Sequence, residues 1–235
     1  MGYPDKGLGI GNETLALAER LAHPLSHELA LLWSVMLHLD RGEPESALEL
    51  LAVAETLVAE QRLAFLLEPR FLRGAALSAR GELEEAVGCV REGFTTPLGT
   101  VRFRPYGLAG LAEALVRQGE HRAALAAASE GLGAQEETGQ RWWAAELHRL
   151  QGIALLGLNR VGEAQTALEK ALRVARRQQA KSYELRAATS LARLRGEQGR
   201  RVEARELLAP VHGWFTEGFD TANIKNAAAL LDELA

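Results

Sequence analysis

Apolar side chains recur along this chain every three or four residues, the spacing of one face of a helix, as in Leu48, Leu51, Ala54 and Leu57 and again in Leu168, Ala171, Leu172 and Ala175. Followed to its end, the pattern predicts helices near 4–22, 26–40, 44–61, 63–80, 83–95, 103–118, 121–137, 139–158, 161–179, 181–197, 201–217 and 221–234. Pro24, Pro97 and Pro105 fall between these stretches or at their starts, where the missing N–H of proline is tolerated. Asp220 and Thr221 offer side-chain oxygens to cap the last helix. The longest interruption, Thr95 to Phe103, leaves the register intact on either side.

That register is a repeat. A glycine followed five residues later by alanine recurs as Gly42 with Ala47, Gly81 with Ala86, Gly119 with Ala124 and Gly199 with Ala204. Asn159 with Ala164 has the same spacing, and asparagine is the best substitute for glycine at a left-handed helix end. Gly2 with Gly7 reads as a degenerate first copy, so the markers step by 40, 39, 38, 40 and 40 residues. Seven positions before the later markers stand Val35, Gly74, Ala112, Gly152 and Ala192; twelve positions after them stand Ala54, Gly93, Gly131, Ala171 and Val211. Helices approach closely only where facing side chains are small, so each unit is expected to be an antiparallel helical hairpin.

These offsets resemble the tetratricopeptide repeat (TPR), whose consensus places small residues and a turn glycine at the same relative positions. The likeness covers essentially the whole chain, with about 40 residues per unit against the usual 34 or so. HEAT and armadillo repeats share the longer period but lack the glycine-plus-five alanine. The resemblance implies an all-α, right-handed superhelical solenoid of antiparallel helix pairs. It would be a single domain, 1–235, with about five full pairs, a leading half repeat and a C-terminal capping helix. A solenoid seldom starts half way through a unit, so the chain is expected to be the C-terminal part of a longer protein, with Met1 an artificial or misassigned start.

A second resemblance lies in RWWAAELHRLQG (141–152), ARRQQAKSYELRAATSLARL (175–194) and LLAPVHGWFTEGFDTANIKNAAALLDEL (207–234). These stretches look like the C-terminal repeat region of large bacterial signalling proteins that join an adenylate or guanylate cyclase domain, or a DNA-binding domain, to an ATPase and then to such repeats. Cyclase or ATPase chemistry would then lie upstream, outside these residues.

Composition adds little that competes with this reading. The chain has 235 residues, 47% hydrophobic and 25% charged, with 27 basic against 31 acidic residues and a net charge of −4. Neither nucleic-acid nor membrane binding follows from that balance. The single cysteine, Cys89, excludes an internal disulfide and fits a reducing, cytoplasmic setting. No apolar run approaches the roughly 18 residues of a membrane span.

Candidate chemistry is sparse. Gly7, Gly9 and Gly11 form G-x-G-x-G without the preceding strand or third glycine of a dinucleotide fingerprint, and read as a weak, frayed first helix. His23 and His27 have a zinc-compatible spacing, but Pro24 lies between them and no further ligand is near in sequence. Cys89 falls on an apolar face and reads as core. Residues 170–205 carry eleven basic and three acidic side chains, read as a solvated surface. Of Trp142 and Trp143, about 100° apart on a helix, one is expected in the core and the other at a seam. No catalytic residue, metal site or cofactor is expected.

Stacked pairs form a curved solenoid whose concave face is lined by the first helix of each pair. In the TPR register, groove positions fall thirteen, ten, six and three residues before each marker. They include Glu68, Phe71, Ser78, Tyr106, Glu113, Glu146, Arg149, Arg186 and Arg193, with Leu29, Leu32, Met36 and Leu39 from the first unit. Arg149 and Arg186 are expected to open onto one surface, where guanidiniums suit carboxylates of a bound segment; pairing with Glu113, Glu146 or Glu184 is the competing reading. The expected function is a non-catalytic protein–protein interaction or scaffolding module at the regulatory end of a bacterial signalling or transcription-regulating protein. Its partner would be a protein, a peptide or another domain of the same polypeptide. The alternative is a small-ligand or peptide sensor controlling an upstream cyclase or ATPase.

Overall fold

The computed structural model describes residues 2–62, 68–95 and 103–235. Pro97, the body of the 95–103 interruption and the first residues of the predicted 63–80 helix lie outside them. Among the described residues there are twelve helices and no strand: α1 (Pro4–Leu21), α2 (Pro24–Arg41), α3 (Pro44–Gln61), α4 (Pro69–Arg80), α5 (Leu83–Gly93), α6 (Arg104–Arg117), α7 (His121–Thr138), α8 (Ala144–Gly157), α9 (Val161–Arg177), α10 (Lys181–Glu197), α11 (Arg201–His212) and α12 (Ala222–Glu233). None is long and apolar enough to cross a membrane. Proline opens α1, α2, α3 and α4, supplying a preset φ where no intrahelical N–H bond is lost.

Even-numbered helices form the inner member of each pair and odd-numbered helices the outer one. The turns inside the pairs are five of the six predicted markers, all left-handed: Gly42, Gly81, Gly119, Asn159 and Gly199 have φ between 59° and 89°, whereas the sixth, Gly2, has φ 146° and precedes α1 without joining two described helices. A second left-handed series joins one pair to the next at Ala22, Arg62, Gly139, Gln179 and Gly218. Three of these are not glycine, which hides the series from sequence inspection.

The small residues act where the register demands. Ala47, Ala86, Ala124, Ala164 and Ala204 are all completely buried. A Cβ on Gly152 would stand 2.6 Å from Leu168 Cγ and 3.2 Å from Ala164 O, and one on Gly74 would run into Val90 and the Ala86 carbonyl. Position −7 therefore packs against positions +5 and +9 across the hairpin. Larger neighbours fill the hollows that glycine leaves between pairs: the Phe71 ring lies against both Gly93 of its own hairpin and Gly107 of the next inner helix.

Three expectations are corrected. Helix α1 is continuous rather than frayed: Glu217 Oε1 accepts the Asp5 and Lys6 N–H groups, both at 3.0 Å, and Gly7 and Gly11 lie against Leu37. Its glycines are therefore helical, not a phosphate loop. The eighth and eleventh helices are shorter than predicted, because left-handed Gly139 and the 213–221 connection break the chain there. At the start of α12, Thr221 donates to Gly218 O at 2.7 Å and makes no side-chain cap, while Asp220 is turned to Arg41.

The solenoid also closes on itself. Arg41, with its side chain 5% exposed, reaches Asp5 (2.9 Å), Glu43 (2.7 Å) and Asp220 (3.3 Å). Asp5 Oδ2 accepts Gly218 N at 2.9 Å, and Asn223 Nδ2 donates to Asp40 O at 3.4 Å. Tyr3 packs on Trp214 with centroids 5.2 Å apart, and Lys181 Nζ lies 5.3 Å from the Trp214 ring centre. An apolar cavity of about 130 Å³ remains in this seam between Tyr3, Leu37 and Ile224. The terminal cap thus also meets the first pair.

Candidate binding lumen

Closure turns the concave face into a lumen of about 620 Å³. Each inner helix contributes to its wall: Asp40 from α2, Ser78 from α4, Tyr106 and Glu113 from α6, Glu146 from α8, Arg186 from α10 and Asn223 from α12. Trp143, at the N-cap of α8, completes an aromatic side with Tyr106 (centroids 5.3 Å apart) and Tyr183.

The charged part of the wall is an ion network between three inner helices. Arg149 Nε lies 3.0 Å from both Glu146 oxygens, and its Nη2 lies 2.7 Å from Glu113 Oε2. Arg186 Nη2 is 3.0 Å from the same Glu113 oxygen and 2.8 Å from Glu146 Oε1. Two carboxylates and two guanidiniums therefore balance. Burial would raise the Glu146 pKa, but Arg149 and Arg186 prevail and hold it at about 2. Burial would likewise lower the Arg149 pKa, and the two glutamates turn it upward instead.

Asp40 stands apart from that balance. Although exposed, it is surrounded by protein where it lines both the lumen and the seam cavity, within electrostatic reach of Arg186, Glu146, Tyr106 and Tyr183. Burial raises its pKa to about 6, Arg186 opposing and Glu146 reinforcing the shift. No described side chain hydrogen-bonds its carboxylate. Burial, with Asp40 adding to it, also raises the Tyr106 and Tyr183 pKa values. Ser78 Oγ is buried without a hydrogen-bond partner among the described residues, while the Ser78 carbonyl accepts from Arg117.

Of the predicted groove residues, Ser78, Tyr106, Glu113, Glu146 and Arg186 line the lumen together. Arg149 is 7% exposed and bonded behind the wall, so it is not an open donor. Phe71, 1% exposed, is core, held between two glycines. Glu68 is buried at the start of α4, where it accepts from Arg70 N and pairs with the Arg70 guanidinium. Arg193 is exposed and is not part of the lumen wall. In the first unit Leu39 reaches the lumen, whereas Leu32 is buried in the core and Leu29 remains exposed.

Sequence reasoning missed Asp40, Trp143 and Tyr183. The aromatic pair had a signal: sixteen residues before the markers stand Phe103, Trp143 and Tyr183, one helical turn beyond the groove positions considered. Trp143 is buried against Phe103 and Tyr106, and Trp142 points outward. Of the other candidates, His23 Nδ1 accepts from Ser26 N at 3.3 Å as a helix cap. Cys89 is half-buried, its thiol pKa raised by burial, with Sγ 3.5 Å from Arg70 O.

No protein-family model matches the chain, and neither does any curated protein sequence. Solved structures do. TPR-like repeats of a Podospora anserina kinesin light chain superpose with a TM-score of 0.52 at 23% identity, covering 82% of this chain and 96% of that one. A point variant of the same protein gives 0.52 at 22% identity, over 78% and 92%. The apo form of RapI gives 0.53 at 17% identity, over 94% and 68%. These likenesses establish the fold, an α-solenoid of TPR-like helix pairs.

Proposed function

We propose that this chain is a non-catalytic interaction module that holds a protein or peptide segment in its lumen. The observation that carries this reading is the convergence of all six inner helices on one concave space lined by aromatic rings, an unpaired carboxylate and an unsatisfied hydroxyl. Concave sites with a few convergent polar groups are where proteins bind ligands. Outside the lumen, several charged side chains pair within one helix turn, as Arg160 with Glu163 and Arg200 with Glu203.

In the cell, the module forms the regulatory end of a bacterial signalling or transcription-regulating protein in the cytoplasm. Support comes from the three C-terminal stretches that resemble such proteins. One of them, WFTEGFD (214–220), supplies Trp214, Glu217 and Asp220 to the closure. Occupancy of the lumen and integrity of the seam are then coupled, because α2, α10 and α12 contribute to both. A second reading, a small-ligand sensor controlling an upstream cyclase or ATPase, gains from the lumen's volume of about 620 Å³, within the range of small-molecule sites.

Gly110 provides the test. It lines the lumen, and a Cβ added there meets nothing within 4 Å. Peptides selected from a random display library on the wild-type chain should lose binding to Gly110→Trp while the melting temperature holds. Equal retention by the plugged variant would place binding outside the lumen and refute the reading. Displacement of the peptides by a small metabolite would favour the second one.

A further inference from the structure

The chemistry of the lumen wall narrows its ligand. Glu113 and Glu146 are matched by Arg149 and Arg186, all four in mutual contact, so this network offers no net charge to an incoming group. Asp40 is left over, its carboxylate facing the lumen and bonded by no described side chain. Tyr106, Trp143 and Tyr183 line the same space, with the Tyr106 and Trp143 rings tilted at 52° to one another. An unpaired carboxylate attracts a cation directly, and aromatic faces attract it through their quadrupole, most strongly where water is partly excluded. An anionic ligand would meet four carboxylates, Asp40, Glu45, Glu113 and Glu146, while Arg186 is held by two of them, Arg80 by Glu82 and Arg117 by the Ser78 carbonyl. A purely apolar ligand would cover Asp40 without compensating its charge.

Building on the lumen as the binding site, we propose that its ligand presents an ammonium group, of the lysine side-chain type on a peptide segment, which seats against Asp40 with the rings of Tyr106, Trp143 and Tyr183 around it. The ammonium donates to the Asp40 carboxylate, and the alkyl stem of the lysine runs along the rings.

The experiment titrates the full chain with acetyl-Gly-Lys-Gly-amide, with its norleucine counterpart and with butylammonium. Binding is read from the Trp143 indole N–H resonance, assigned by Trp143→Phe. The lysine peptide should bind at least about tenfold more tightly than the norleucine peptide. Asp40→Asn, which is isosteric, should erase that difference. Tyr183→Phe should preserve the difference and Tyr183→Leu reduce it. Butylammonium as tight as the lysine peptide would uphold the ammonium site and overturn the peptide source. Equal binding of the norleucine peptide, or an unaltered lysine-peptide affinity in Asp40→Asn, would overturn the cation assignment. The lumen reading would survive that result if Gly110→Trp still abolished binding. Binding unaffected by Gly110→Trp, or no response to any probe, would overturn both.

Discussion

Arg41 and Asp220 are separated by 179 residues in sequence, yet the Arg41 Nη2 and Asp220 Oδ2 atoms lie 3.3 Å apart. The same guanidinium holds Asp5 and Glu43, so one buried side chain ties the end of α2 to the start of α1 and to the connection before α12. Its three carboxylate partners keep access to water, and each can rehydrate if the arginine is lost. Arg41→Met should therefore cost about 1.5–3 kcal/mol, the range for hydrogen bonds to charged groups. Urea denaturation measures it; an unchanged midpoint would mean that the seam adds nothing to stability.

The close hairpin contacts make opposite predictions for two helical glycines. A Cβ on Gly152 meets Leu168 and the Ala164 carbonyl, whereas one on Gly110 meets open space. Gly152→Ala should cost about 1–3 kcal/mol through overpacking. Gly110→Ala should gain about 0.5–1 kcal/mol through helix propensity. Ala124→Leu, at a completely buried hairpin contact, should behave like the first. Matched chemical denaturation curves check all three.

Glu146 links stability to acid. Its pKa falls from an ordinary 4.5 to about 2 on folding, against burial and through Arg149 and Arg186. A depressed carboxylate stabilises the fold fully above its unfolded pKa and loses that contribution as pH falls from about 4.5 toward 2. Arg149→Met should cost about 3–5 kcal/mol at neutral pH, because it leaves buried Glu146 to share the single guanidinium of Arg186 with Glu113, and should flatten the acid limb of the profile. A melting temperature that declines in acid as steeply in Arg149→Met as in the wild type would contradict this.

Asp40 has the opposite sign. Its pKa rises from 3.8 to about 6, so the folded state binds the extra proton, and stability falls as pH increases through that window. Asp40→Asn should raise the melting temperature above pH 6 and leave it near the wild-type value below pH 4. A stabilising loss of charge marks a residue kept for something other than folding. A lower melting temperature at pH 7 would contradict the assignment.

Much of the fold was legible because it is periodic. The turn glycines, Asn159 and the five buried alanines occupy fixed offsets, and close helix approach tolerates few residue types there. The second series of left-handed turns was not legible, since Ala22, Arg62 and Gln179 carry no residue signature of positive φ. Closure was hidden for a different reason. Asp5, Arg41, Glu217 and Asp220 are ordinary surface residue types, and only the accumulated curvature of five pairs and the two terminal helices brings them together. The lumen was half legible: the register found Tyr106, Glu113, Glu146 and Arg186, but Phe71 occupies a groove position and is drawn into the core by Gly93 and Gly107. Asp40, two residues before a turn, lies at a position that an open solenoid would leave on its rim.

The enclosed lumen depends on the two ends of the chain meeting, and a distance measurement reads that directly. Spin labels at Ile10→Cys and Phe219→Cys, both exposed positions, can be placed in a Cys89→Ser background and measured by double electron–electron resonance. A closed ring predicts one narrow distribution at short distance, which lengthens and broadens when Arg41→Met is added. A long, broad distribution in the otherwise wild-type chain would show an open solenoid and contradict the account.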